Sequence, residues 1–222
     1  MPSPIGHALG ALAAGWLVAG RWGADRSSRA ARASTSSEAA VAEGGEGRAG
    51  DGAPAAAQRR LQRICVAAGS GRLGAPTVWR EAIWFVALGL VADVDLFFGW
   101  HSGPTHSLGA ALIAGAVLML VRRAGWLAIE RPFLAGAAAY GSHPLLDWLG
   151  ADSSPPYGVM AFWPFTAAYF IAPEPVLMAI SRRYWLPGFL EHNLTAVAFE
   201  ILLLGPVAVA VWALRRAPAS GT

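Results

Sequence analysis

Long apolar stretches that end at, or are broken by, a histidine or an aspartate constrain this chain more than any other feature. Such runs cover Pro4 to Gly20, Trp79 to Trp100, Leu108 to Val121, Phe133 to Leu149 and Leu194 to Leu214. In lipid, every backbone N–H and C=O must be paired inside the protein, and a helix does this segment by segment. The runs therefore predict an all-α fold: a multi-span integral membrane helical bundle of four or five spans, with a polar cluster at one interface. Composition points the same way. Only 14% of the residues are charged, against about 25% in ordinary soluble domains.

Three regions are expected. Residues 1–22 form a first apolar helix carrying His7. It is short for a span, which usually takes roughly 20 residues, and its glycines and alanines suit close helix packing. No positively charged segment precedes it, which argues against a cleavable signal peptide. Residues 23–76 are rich in Ala, Arg, Ser, Gly and Glu. Such a low-complexity insertion cannot bury enough apolar surface to offset its ordering entropy and is expected to be disordered, with a short helix around Ala55 to Ala68. Residues 77–222 form the membrane helical domain. Within it, Gly150 to Pro187 is rich in Pro, Gly and aromatics and predicts a folded interfacial loop with short helices. Glu200, inside the last run, should face protein.

Charge narrows the function. The formal net charge is only +3, so no nucleic-acid partner is expected. All seventeen basic residues are arginine, which excludes Schiff-base chemistry and a P-loop lysine. Cys65 is the single cysteine, so any metal must be held by His, Asp, Glu and water. No Gly-x-Ser-x-Gly elbow is present, which disfavours a serine hydrolase. Fifteen arginines fall in segments that can share the cytoplasmic side, leaving only Arg182 and Arg183 opposite. The positive-inside rule supports that arrangement. It sends His7, Asp93, Asp95, His101, His106, His143 and Asp147 to the non-cytoplasmic face of the membrane.

Those seven residues are the candidate ligands. Asp93 and Asp95 are two apart, so they do not share a helical face. Both reach one centre only if the helix ends or unwinds near Ala92 to Asp95; otherwise one ligates and the other orients a histidine. His101 and His106 lie in a loop with Gly103 and Pro104, where Thr105 and Ser107 can donate hydrogen bonds or Ser107 can cap the next helix. His143 and Asp147 are spaced i, i+4 on one face. Pro144 between them suggests a helix restarting at that proline. Imidazoles with carboxylates suit a zinc or manganese ion, and seven candidates suffice for a dinuclear centre. Such centres generate hydroxide near neutral pH and stabilise charge on a scissile oxygen. Hydrolysis of a phosphoester, on a small-molecule or lipid-linked substrate met at the bilayer, is the reaction class expected, with Asp93, Asp95 and Asp147 as catalytic carboxylates. The alternative is a non-catalytic membrane metal-binding or transport protein.

In order along the chain stand an N-terminal His7, Asp93-Val-Asp95, His101-Ser-Gly-Pro-Thr-His106-Ser, Ser142-His143-Pro-Leu-Leu-Asp147 and Trp163-Pro164. This order resembles the membrane-bound, metal-dependent hydrolase family, whose members include LexA-regulated inner-membrane proteins. The resemblance covers Met1 to about Gly20 and Trp79 to Phe165. It implies a multi-span helical protein and a metal-dependent hydrolase site built on the same seven residues. Two positions depart from the pattern: Ser102 stands where the family has arginine, and Ala92 where a proline often precedes Asp-x-Asp.

Overall fold

A computed structural model of the chain describes residues 1–20, 75–98, 102–153 and 155–216. The insertion expected over residues 23–76, with its short helix around Ala55 to Ala68, lies outside the described residues but for its last two positions, which open a helix. Among the described residues there are α- and 3-10 helices and two isolated bridges, Gly150 with Leu177 and Val159 with Phe170, but no β-strand. The fold is all-helical.

Five α-helices follow the apolar runs: α1 (Pro4–Val18), α2 (Ala75–Leu90), α3 (Leu108–Arg123), α4 (Pro132–Leu149) and α5 (Phe189–Arg216). Local signals explain their starts. Ser3 caps α1 by accepting from Gly6 N, with Pro4 at its first position, and Ser107 caps α3 by accepting from Ala110 N. α2 gives way to a 3-10 helix, Val91–Phe98, and a shorter 3-10 turn, Pro104–His106, precedes α3.

Small residues let the helices approach closely. A Cβ added at Gly15 would stand 2.6 Å from the Phe85 ring, and one added at Gly89 would stand 2.5 Å from Ala11 Cβ and 2.9 Å from the His7 carbonyl. These contacts make α1 and α2 antiparallel. Gly10 faces Ser142 and Leu146, so α4 also runs against α1, while Gly136 meets Ala114 and Leu118 of α3. α5 lies parallel to α1: buried Glu200 accepts from both the N–H and the hydroxyl of Ser3, and Arg215 reaches Gly20 O and the buried Glu81 of α2. The start of α1 and the ends of α2 and α4 therefore lie at one end of the bundle.

Two sequence expectations need correction. α4 does not restart at Pro144; it runs unbroken from Pro132 to Leu149 with Pro144 inside. The packing of α1, α2 and α3 around it holds the helix through a residue that lacks one backbone donor. The described part of Gly150 to Pro187 contains no short helices. It is irregular chain secured by scattered backbone bonds, among them Ala151 N to Leu177 O, Met160 N to Ser102 O and Ile180 N to Met1 O. Among the described residues one helix, Phe189–Arg215, is long and apolar enough to cross a membrane. The four other α-helices have 15 to 18 residues, or about 22–27 Å at 1.5 Å per residue, against a hydrocarbon core of about 30 Å.

Candidate metal centre

Each helix end delivers its share of one buried cluster. His7 comes from the first turn of α1, Asp93 and Asp95 from the 3-10 helix after α2, His106 from the turn before α3, and His143 and Asp147 from the last turns of α4. Unwinding at Leu90 changes the angular step, which lets two aspartates two residues apart address the same imidazole. Asp93 Oδ1 lies 3.7 Å from His106 Nε2, and Asp95 Oδ2 lies 3.2 Å from Nδ1 on the other edge of the ring. His101 lies outside the described residues.

Hydrogen bonding sets the tautomers. His143 Nδ1 is 2.6 Å from the Gly89 carbonyl, which can only accept, so Nδ1 carries the proton and Nε2 offers its lone pair. His106 Nδ1 faces Asp95 Oδ2, which also accepts from the Thr105 hydroxyl at 2.8 Å. Both free Nε2 atoms then point inward, 3.0 Å apart. Burial works against the charged form of His106, but its contacts with Asp93 and Asp95 outweigh this and raise its pKa above the ordinary histidine value. Burial likewise opposes ionised Asp95, yet His106 and Thr105 hold its carboxyl below the usual carboxylate range.

Two triads emerge. Asp93 Oδ1, His106 Nε2 and His143 Nε2 are separated by 3.0, 3.6 and 3.7 Å. Three ligands about 2.0–2.1 Å from a zinc ion in tetrahedral geometry stand about 3.3–3.4 Å apart, so this triad fits one face of such a site. The second triad is His7, His143 and Asp147. Asp147 Oδ1 lies 3.3 Å from His7 Nε2, and its Oδ2 lies 3.2 Å from His143 Nε2 and 3.4 Å from His106 Nε2. The His7 ring stacks on His143 at 3.7 Å. Both Asp147 oxygens are buried without a hydrogen-bonded donor among the described residues. Such a carboxylate, ringed by imidazole nitrogens, fits a cation. Asp95 belongs to neither triad; it sits behind His106 and orients it.

A model of the YdjM inner membrane protein family matches residues 63–217. The chain belongs to that family. It is therefore a membrane protein of an inner membrane protein family. The match takes in Asp93, Asp95, His106, His143 and Asp147 but begins beyond α1, so the YdjM model does not cover His7. No curated protein and no solved structure matches the chain.

Within this YdjM-family chain some positions answer the sequence reading differently than their types suggest. Ser107 caps α3 and donates to Pro104 O instead of serving the cluster. Ser102 is fully buried with φ of 57°, its carbonyl accepting from Met160 N. Asp152 accepts from Gly158 N, and His192 faces the Ala179 carbonyl at 2.8 Å. Sequence reasoning missed the Gly89 carbonyl, which fixes His143, and Tyr140, whose hydroxyl donates to Thr105 O at 2.7 Å. A backbone acceptor leaves no mark in side-chain pattern. Tyr140 lies three residues before His143, and that spacing is the only signal it carries.

Proposed function

We propose that the chain is a multi-pass membrane hydrolase that uses a divalent metal ion, of zinc or manganese type, to cleave a phosphoester, with its site on the non-cytoplasmic side. The observation that carries this reading is the convergence of three sequence-distant segments on the triad Asp93, His106 and His143, with edges of 3.0–3.7 Å. Three protein ligands and an open position are the arrangement of catalytic zinc, where structural sites are closed. Asp93 is 28% exposed while the two histidines are buried, so the open position faces outward. An ion held there would supply Lewis-acid polarisation and an acidified water. Asp147, whose oxygens have no hydrogen-bonded donor among the described residues, would stand beside such an ion as a proton acceptor. Asp95 keeps His106 in the ligating tautomer. His143 has one nitrogen to give, because Gly89 takes the other. The described residues thus favour one ion over two.

The multi-pass reading rests on the helix surfaces. Leu112, Ile113 and Leu120 of α3, Leu134 and Leu145 of α4, and Leu202 and Val209 of α5 all point outward. Apolar residues on the outside of a bundle suit lipid. Helices of 15 to 18 residues require tilt or local thinning of the bilayer.

Elemental analysis of the detergent-purified chain, beside Asp93→Asn and His143→Ala, tests the site. About one ion per wild-type chain and loss of it in both variants is expected. Equal metal content in all three proteins removes the site. Turnover of phosphomonoesters and phosphodiesters by the wild type alone supports the hydrolase. Bound metal with no turnover moves the reading to metal binding or transport.

A further inference from the structure

Beside the cluster opens a cavity of about 560 Å³, and Asp93 forms part of its wall. That volume is ordinary for a small-molecule site, for which about 300–1,000 Å³ is usual. Arg182 and Arg183 line it as well, as do Leu96 and Leu186. Asp152, the other carboxylate on the wall, already accepts from Gly158 N. Neither guanidinium has a carboxylate within ion-pair distance among the described residues; Arg182 Nη2 donates to Met1 Sδ at 3.8 Å.

These are the two arginines that the charge distribution leaves on the far side from the other fifteen. The positive-inside rule gives no reason for them to be there. Their backbone is also secured. Ser181 N donates to Asn193 Oδ1 at 2.8 Å, Asn193 Nδ2 donates back to Ser181 O at 3.0 Å, and Arg183 N donates to Ser181 Oγ. The pair is thus presented from a segment clamped to the first turns of α5, and a preorganised site loses less on binding.

We propose that this cavity binds a phosphate-bearing headgroup, gripped by Arg182 and Arg183, with its apolar portion against Leu96 and Leu186. This rests on the metal-hydrolase reading for its role: the cavity delivers the phosphoester to Asp93. Arginine suits the task because its planar fork meets phosphate oxygens two at a time. The chemistry recognised is a phosphate group, whether on a lipid or on a soluble molecule.

Isothermal titration of the full chain in detergent, with dihexanoyl phosphatidic acid and with inorganic phosphate, tests the proposal. Dihexanoyl phosphatidic acid is expected to bind the wild type, and R182Q/R183Q should weaken it by about tenfold or more. R182K/R183K should recover part of the loss, and melting temperature and metal content should stay at the wild-type level in both. Inorganic phosphate binding as tightly as the lipid supports the site and assigns it a soluble phosphomonoester. Equal affinity in wild type and R182Q/R183Q, or no binding of either probe to the wild type, overturns it. Metal content on the same samples separates the two ideas. Arginine-dependent binding by a metal-free wild type sinks the hydrolase alone, and arginine-independent binding by a metal-loaded one sinks this site alone.

Discussion

His106 is gripped on both edges of its ring, by Asp95 at Nδ1 and by Asp93 at Nε2, and the two contacts have different consequences. Removing the Nε2 partner removes a ligand; removing the Nδ1 partner leaves the ligand but frees its tautomer. Asp95→Asn is therefore expected to retain the ion with about 10–100-fold weaker affinity, measured by competition with a chromophoric chelator. Unchanged affinity would show that Asp95 does not orient the ring. A proton competes for the same nitrogen. Zinc needs the unprotonated imidazole, and the neighbours of His106 raise its pKa above the ordinary value, so zinc affinity should climb as pH rises past about 6.5. Titrations at pH 6 and pH 8 giving one affinity would contradict this. At this scale the sequence was readable where chemistry is carried by side-chain type: His and Asp at apolar ends announced the cluster. The Gly89 carbonyl, which settles the tautomer of His143, could not be foreseen, since any residue supplies a carbonyl.

Helices α1 and α2 meet where Gly89 passes over the His7 carbonyl, and backbone cannot step aside as a side chain can. Gly89→Ala would place its methyl 2.5 Å from Ala11 Cβ and should cost about 1–3 kcal/mol through overpacking. Because Gly89 also holds His143, metal affinity should fall together with the melting temperature in detergent. A drop in stability with affinity intact would mean that the two helices shift without disturbing the ring. Element positions were legible, since the apolar runs foretold α3 and α4 to within a residue or two. What escaped was conformation inside the runs. The 3-10 stretch Val91–Phe98 is as apolar as the helix before it, and Pro144 marked a break that neighbouring helices suppress.

For the molecule as a whole, the arginine distribution predicts the orientation of the proposed multi-pass fold. In a Cys65→Ser background, Ser153→Cys should react with a membrane-impermeant maleimide added to intact spheroplasts. Ala124→Cys, beside Arg122 and Arg123, should react only after permeabilisation. The reverse pattern would place the cluster on the cytoplasmic face and undo the topology argued from arginine. Sequence alone could assemble the site on one face but could not show how it is held shut, because that depends on contacts between the chain's two extremes. Glu200, near the middle of α5, grips Ser3 and so sets the position of α1 and His7. Residues before Phe189 also hold the start of α1, as the Ile180 N to Met1 O bond shows, but the grip on Ser3 belongs to α5 alone. Glu200 thus acts as a latch, working on the helix that bears His7 from 197 positions away in sequence.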